Sequence, residues 1–356
     1  MNLSDIRQKI DALDEQLLAL LNQRADLVHE VGLVKKRDNS AIYVPEREEQ
    51  LLRSLAAKNQ GRLPEKSIRA IYREIMSASF ALEKGLCIAY LGPEATWTHQ
   101  AARGKFGASV DYAAQPNIAD VFSAVERNKA DYGVVPIENS TEGAVNYTLD
   151  VFADSDLKIC AEILLKIENN LIARIPREQI KKIYSHPQVF GQCRNWLRLN
   201  LPNVDYIEVS STTRAAELAA SEPDAAALAG RMAAEVYELE ILEASIQDNP
   251  NNTTRFLVIG HTTCVPTGFD KTSLMFNVQD KPGSLFAALA PFKELRLNLS
   301  KIESRPSKRK AWDYFFFVDV DGHHQDPALV TALEELQRHC SFVKILGSYP
   351  KNAAIA

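Results

Sequence analysis

The chain has 356 residues, 46% of them hydrophobic and 24% charged, and a formal net charge of −5. That length makes two or three domains of ordinary globular composition and excludes a wholly disordered chain. Mild acidity gives no reason to expect a nucleic-acid partner, and no apolar run reaches the roughly 18 residues that a membrane-spanning helix needs.

Met1-Asn2-Leu3-Ser4-Asp5-Ile6-Arg7 lacks the apolar core of a secretory signal. The cysteines Cys87, Cys160, Cys193, Cys264 and Cys340 are scattered, odd in number and free of any Cys-x-x-Cys pair. Neither a disulfide framework nor a zinc site is expected, and a reducing cytoplasm is.

Residues 1–84 read as all-helical. Ser4 is placed to cap a helix reaching about Lys36, with Ile10, Leu13, Leu17, Leu20, Leu27, Val31 and Val34 at spacings of three and four. A second helix is expected from Pro45 and a third from near Pro64, the latter carrying Ile68, Ile71, Tyr72, Ile75, Ser79 and Leu82. Alone, the first helix cannot bury its apolar stripe, so a second chain is the expected cover.

Arg24 interrupts that stripe, and Lys35 follows eleven residues later on the same face, ~16 Å along the axis. Long side chains at this separation can converge on one dianion, or Arg24 can form an ion pair with an acid of a second chain. Arg7 lies ~25 Å of helix away from Arg24 and reaches the same pocket only from another protomer. Ser79 and Glu83 are i, i+4 neighbours on the third helix.

The run Ile6–Asp14, together with Arg24, Lys35 and Arg47-Glu48, resembles the all-helical chorismate mutase domain over about the first 84 residues. The resemblance implies that Arg24, Lys35 and Arg47 bind the carboxylates and ether oxygen of chorismate, with Arg7 arriving from the dyad-related chain. It also implies that Glu48 takes the substrate hydroxyl and that Ser79 lies near a carboxylate. A pericyclic rearrangement needs no nucleophile, metal or cofactor, only a held conformer and stabilisation of developing negative charge. Val44 stands where some members have aspartate, and Glu83 where several have glutamine. A carboxylate facing the ether oxygen would repel the transition state, so Glu83 is expected to act protonated.

From Leu86 short β-rich runs alternate with helical stretches: 87–91, 132–136, 159–163, 182–185 and 255–259. That rhythm predicts an α/β domain with parallel strands and a cleft between two lobes. Polar clusters follow or precede these strands at Gly92–Thr96, Pro136–Gly143, Ser185–Gln188 with Gln192, and Asn251–Phe256. Singly each is an N-cap signal; together they suggest an anion-binding cleft. Gly92 lacks the further glycines of a dinucleotide fingerprint, so NAD is not expected.

These clusters resemble the prephenate dehydratase domain over residues 86–262, through the Glu-Asn-Ser-x-x-Gly run and Thr254-Arg255-Phe256. The implied fold is the two-lobed one of type II periplasmic binding proteins. By the resemblance Thr254 assists the departing hydroxyl, with Glu138 the other candidate acid. Asn139, Ser140, Ser185 and Gln192 position the substrate, and Arg255 binds a carboxylate or forms an internal salt bridge. Ala95 and Trp97 replace a glycine and a smaller aromatic common after Gly-Pro. His186 reads as a turn residue, because the reaction removes no proton that needs a strong base.

Pro266-Thr267-Gly268 marks a linker, and residues 272–350 show a strand–helix–strand–strand–helix–strand order, the ferredoxin-like βαββαβ pattern. Strands are expected at 273–278, 298–303, 314–320 and 343–347, with helices from Gly283 and near Asp326. Lys308-Arg309-Lys310 reads as a solvated loop. Gly283-Ser284-Leu285-Phe286 and Glu303-Ser304-Arg305-Pro306 make residues 272–356 resemble an ACT regulatory domain. The resemblance implies L-phenylalanine bound between paired domains at Gly283, Ser284, Leu285, Glu303, Ser304, Arg305 and Pro306.

The three blocks together resemble the bifunctional enzymes of phenylalanine biosynthesis that convert chorismate to prephenate and prephenate to phenylpyruvate, as homodimers under phenylalanine feedback. An arogenate dehydratase and a non-catalytic amino-acid sensor are the alternatives; the sensor requires neither the Arg24/Lys35/Arg47/Glu48 set nor Thr254.

Overall fold

The computed structural model describes residues 2–38, 41–307 and 313–352; Lys308-Arg309-Lys310 lie outside them. The chain falls into two units, residues 1–87 with 106–111, and the remainder.

The helical unit contains α1 (Leu3–Asp38), α2 (Pro45–Lys58) and α3 (Glu65–Glu83). Asn2, not Ser4, caps α1. Its Oδ1 accepts from the Asp5 N–H at 2.9 Å, and Asp5 Oδ2 accepts the Asn2 N–H at 3.1 Å, so two orphan donors are satisfied reciprocally. Pro45 opens α2 as expected. No described residue of α1 is buried, and Leu13, Leu17 and Leu20 are each more than half exposed, at 57%, 56% and 60%. The half-covered positions of α1 are Arg24, Ala25, Val28, Gly32 and Lys35. The apolar seam therefore faces away from its own chain, and the face carrying the cations meets α3. Gly32 permits this approach: a Cβ there would meet Glu83 at 3.3 Å.

In the second unit the strands are β1 (Cys87–Leu91), β2 (Asp111–Gln115), β3 (Tyr132–Asn139), β4 (Gly143–Ala144), β5 (Lys158–Lys166), β6 (Asn170–Ala173), β7 (Lys182–Ser185), β8 (Asp205–Glu208), β9 (Ala225–Ala229), β10 (Glu240–Glu243) and β11 (Thr253–Gly260). The intervening helices are α4 (Trp97–Phe106), α5 (Ile118–Glu126), α6 (Asn146–Asp154), α7 (Pro187–Gln192), α8 (Arg194–Asn200), α9 (Thr212–Ser221) and α10 (Arg231–Val236). One sheet runs β2-β1-β3-β11-β5, with β4 on β3, and the other β10-β6-β9-β7-β8. The expected parallel pairing holds for β1 with β3 and for β7 with β8 and β9. The sheets are nevertheless mixed, because β11 runs antiparallel to both β3 and β5, and β6 to β9 and β10. The chain leaves the first sheet after β5 and re-enters it at β11, so the two crossings between lobes run in opposite directions.

The C-terminal portion contains β12 (Asp270–Val278), α11 (Ser284–Glu294), β13 (Leu299–Pro306), β14 (Tyr314–Asp321), α12 (Pro327–His339) and β15 (Cys340–Pro350). Its antiparallel order β13-β14-β12-β15 is the expected ferredoxin-like arrangement. Helices α11 and α12 cover one face through Ala288, Phe292, Leu329, Leu333 and Leu336. At the opposite side β15 approaches β5 so closely that a Cβ on Gly347 would lie 2.2 Å from the Ile159 carbonyl oxygen. Only glycine fits there.

Candidate active sites

In the helical unit Arg24 Nη1 donates to Ser79 Oγ at 2.5 Å, and the Ser79 hydroxyl donates to the Ile75 carbonyl at 2.8 Å. Lys35 Nζ donates to Glu83 Oε2 at 2.9 Å and to the Ile42 carbonyl at 2.8 Å. The two cations sit ~16 Å apart along α1, yet their partners are one helical turn, ~6 Å, apart on α3. Both side chains thus reach the last two turns of α3. Ser79 is a neutral acceptor, and among the described residues no carboxylate pairs with Arg24. Beside it a cavity of about 260 Å³ is lined by Leu21, Ala25, Glu74, Ile75, Ala78, Ser79 and Leu82. Arg47 is exposed in the first turn of α2, and Glu48 is half-buried beside it. Arg7 is exposed, far along α1 from this cavity.

In the two-lobed portion Asn139 ends β3, and Thr254, the second residue of β11, lies directly opposite it. Asn139 Nδ2 donates to Thr254 Oγ1 at 2.7 Å and to Asn252 Oδ1 at 2.8 Å. Gln192, at the end of α7 in the other lobe, accepts at Oε1 from Asn252 Nδ2 and from Asn169 Nδ2, both at 3.2 Å. One amide network therefore joins both lobes at the crossings. In the neighbouring Gly92–Thr96 loop Ala95 has φ 61, the left-handed region that favours glycine, and is held by its N–H on His99 Nδ1 at 3.1 Å.

Ser185, Ser140 and Glu138 make structural contacts, and of the two readings of Arg255 the internal salt bridge is the one seen. Ser185 is fully buried, and its hydroxyl donates to the Leu228 carbonyl at 2.9 Å, tying β7 to its neighbour β9. Ser140 clamps the turn after β3 onto the approach to β11, accepting the Thr253 N–H at 2.9 Å and donating to the Asn251 carbonyl at 3.2 Å. Arg255 faces away from Thr254, because successive strand residues point to opposite sides of a sheet. Its Nε meets Glu162 at 2.8 Å, Nη1 meets Asp319 at 2.5 Å and Nη2 meets the Tyr349 hydroxyl at 2.8 Å. Burial alone would lower the basicity of this guanidinium, but the Asp319 and Glu162 carboxylates outweigh it and hold the charge. Burial likewise keeps the Tyr349 phenol protonated. Glu138, one residue before Asn139, also turns from the network and pairs with Lys301 at 2.8 Å. His186 is a helix cap, its Nδ1 accepting the Gln188 N–H at 3.3 Å.

At the C-terminal sheet Asn277 and Arg305 both pair with Phe315, so the ends of β12 and β13 lie at one end of the sheet. Gly283 (φ 84) makes the turn into α11 there, ahead of Ser284 and Leu285. Along β13 Glu303 is half-buried, while Ser304 and Pro306 are exposed. Arg305 is turned inward, its Nη2 lying 3.1 Å from both carboxylate oxygens of Asp150 on α6. Its expected part in ligand binding therefore gives way to an ion pair. Among the described residues no cluster of His, Cys, Asp or Glu is arranged to hold a metal.

Three family models match in order: chorismate mutase type II over residues 6–84, prephenate dehydratase over 88–264 and the ACT domain over 272–338. A bifunctional chorismate mutase/prephenate dehydratase of Aquifex aeolicus is 49% identical over 354 residues, covering 98% of each chain. One of Neisseria gonorrhoeae is 46% identical, covering 97% of this chain and 96% of its own. The crystal structure of a prephenate dehydratase from Arthrobacter aurescens in complex with L-Phe aligns with TM-score 0.69 at 35% identity, over 76% of this chain and 93% of that one.

The chain belongs to the bifunctional chorismate mutase/prephenate dehydratase family. Both enzyme activities reside in this one polypeptide, the mutase in the helices and the dehydratase in the two lobes. Asn252 and Asn169 were not singled out by sequence reasoning, although Asn252 lies within the Asn251–Phe256 cluster. Nothing in the chain's linear order marks Asn169, which ends up beside Gln192 only through the lobe crossing.

Replacing Glu83 by glutamine tests the mutase geometry. An amide N–H donates toward a developing oxyanion where a carboxylate repels it. Glu83→Gln also frees Lys35 from its 2.9 Å ion pair. The variant is expected to keep mutase turnover within about threefold of wild type, since a contact of this size is worth ~1 kcal/mol. A steep loss of kcat at every pH, measured by chorismate absorbance, counts against the assignment.

Proposed function

We propose that the mutase site is completed by a second copy of the chain and that the dehydratase site acts through Thr254. The observation carrying the mutase reading is an Arg24 guanidinium that, among the described residues, meets only a neutral hydroxyl. Such a cation favours an anionic ligand. Arg24 and Lys35 then hold the carboxylates and ether oxygen of chorismate, Arg47 and Glu48 close the site from α2, and Arg7 enters from the dyad-related chain. The uncovered side of α1 supports the dimer, because twelve exposed apolar side chains on it, from Leu3 to Val34, are of a kind that water does not stabilise.

In the dehydratase, prephenate loses carbon dioxide and the ring hydroxyl together, and aromatisation drives the step. Thr254 supplies a hydrogen bond to the departing hydroxyl, and Asn139 and Gln192 orient the substrate. Phenylalanine formed downstream binds at the Gly283 turn and beside Glu303, Ser304 and Pro306 of β13, between paired ACT domains. It acts on the dehydratase through Arg305–Asp150, Lys301–Glu138 and Asp319–Arg255. Five free cysteines fit a reducing cytoplasm, and no described helix is long and apolar enough to cross a membrane.

The shared mutase site has a direct test. Arg7→Ala and Arg24→Ala are each expected to abolish chorismate rearrangement. When the two inactive proteins are unfolded together and refolded, mixed dimers carry one intact site, so mutase activity should return to about a quarter of wild type. Feeding chorismate and following phenylpyruvate absorbance reads both reactions at once. No recovery on mixing, with dimers present, overturns the shared site.

A further inference from the structure

We propose that Asn252 is a positioning residue of the dehydratase reaction, bridging Asn139 and Gln192 so that every donor end of the amide network points at the substrate. The inference rests on Thr254 and Gln192 being the substrate-facing groups.

The orientation begins at Asn139. Its Oδ1 accepts the backbone N–H groups of Thr141 at 2.9 Å and Glu142 at 3.1 Å. Backbone N–H groups only donate, so this oxygen cannot exchange places with the amide nitrogen. Both hydrogens of Nδ2 are thereby directed at Thr254 Oγ1 and Asn252 Oδ1. Thr254 must accept, and among the described residues its own hydroxyl hydrogen has no acceptor. That hydrogen is left for the substrate.

The same constraint passes along the other branch. Asn252 is 1% exposed and must present oxygen to Asn139, so its nitrogen faces Gln192. Gln192 must then present Oε1 inward, an orientation reinforced by Asn169 donating to the same atom at 3.2 Å. Gln192 Nε2 is turned out toward the half-open end of the network, 3.5 Å from the exposed Glu142 carboxylate. Both termini, Thr254 O–H and Gln192 N–H, are donors. Prephenate offers two carboxylates, a ketone and a departing hydroxyl, which are acceptors in the reaction. A side chain that reversed one link would turn Gln192 around and present an oxygen to these groups, with loss of orientation as costly as a misplaced catalytic group.

Asn252→Asp separates positioning from mere packing. The introduced carboxylate still accepts from Asn139 but cannot donate to Gln192 Oε1; its protonated form does both. Burial at this position raises the pKa of an acid, so the acid form gains population as pH falls within the working range. Ionisable groups near this segment are Glu142, Asp248, whose carboxylate caps the Asn195 N–H at 3.0 Å, and Lys166 and Glu168, which flank the Ile167 N–H bonded to the Asn252 carbonyl; all are present in the wild type, which supplies the reference profile. At about pH 8.5 dehydratase kcat of Asn252→Asp is expected to fall roughly a hundredfold with KM changed far less, and to recover at least tenfold relative to wild type by about pH 6, after subtraction of the uncatalysed rate. Asn252→Leu should stay low at every pH, with an unfolding temperature showing whether the lobe is intact. A wild-type-shaped pH profile in Asn252→Asp, whatever its absolute rate, overturns the proposal. If Thr254→Ala left wild-type prephenate turnover, the dehydratase assignment itself would fail instead.

Discussion

Thr254→Ala is expected to lower prephenate turnover about a thousandfold while chorismate rearrangement in the same preparation is unchanged. Assistance by one positioned proton donor is worth ~10²–10⁴ in rate, and Thr254 is the hydroxyl whose proton the Asn139 amide leaves free. The residue is 9% exposed at the start of β11, so the fold loses one hydrogen bond, from Asn139, and a methyl-sized volume. That costs ~1 kcal/mol and leaves the lobe folded. Thr254→Ser keeps the hydroxyl and is expected to restore most of the rate. Phenylpyruvate formation from prephenate reads the loss directly, and wild-type rates in the alanine variant remove Thr254 from the mechanism.

Arg255→Met, one residue later, is expected to fail in a different way. Arg255 joins Glu162 of the dehydratase sheet to Asp319 and Tyr349 of the ACT sheet, and both carboxylates are nearly buried, at 3% and 5% exposure. Glu162 retains Lys271 at 2.9 Å, but Asp319 keeps only the Ser273 hydroxyl as a side-chain partner among the bonds seen here. Leaving a buried charge without its counter-ion costs ~3–5 kcal/mol. In a unit of this size that lowers the unfolding temperature by on the order of 10 °C. KM for prephenate should stay within about threefold of wild type, a difference below 1 kcal/mol. A hundredfold rise in KM with unchanged thermal stability would return Arg255 to the substrate.

The contrast between these neighbours shows where sequence reasoning reaches its limit. Thr254 and Arg255 stand in the same family signature; Thr254 was expected at the substrate, and Arg255 either on a carboxylate or in an internal salt bridge. Strand geometry sends them to opposite sides of β11, one toward the lobe network and one toward the ACT sheet. Which side is the cleft depends on what packs against each face of the sheet, and that is decided by β15 lying on β5 through Gly347. Ser185 illustrates the same point: its position at a strand end suggested a ligand, but a neighbouring carbonyl on β9 accepts its hydroxyl hydrogen bond.

Short elements were the other omission. Strand β9 reads Ala-Ala-Ala-Leu-Ala, a composition with little strand preference, and it is fully buried between β6 and β7. Its small side chains let the alanine-rich helices α9 and α10 pack closely, as Ala215, Ala216, Ala219, Ala233 and Ala234 do in the same cluster. Burial, not local propensity, makes that segment a strand.

The amino-acid order alone determined the three-part organisation, the long first helix with Arg24 and Lys35 on one face, and the βαββαβ pattern. Those features are periodic or local, and their physics is carried by neighbours within a few positions. Tertiary structure alone decided that α1 turns its cations, not its apolar seam, toward α3, that Arg255 and Arg305 are ion-paired, and that Asn252 and Asn169 orient Gln192. Each of these depends on groups far apart along the chain meeting at hydrogen-bond distance, where directionality and desolvation, which no linear spacing encodes, select the partner.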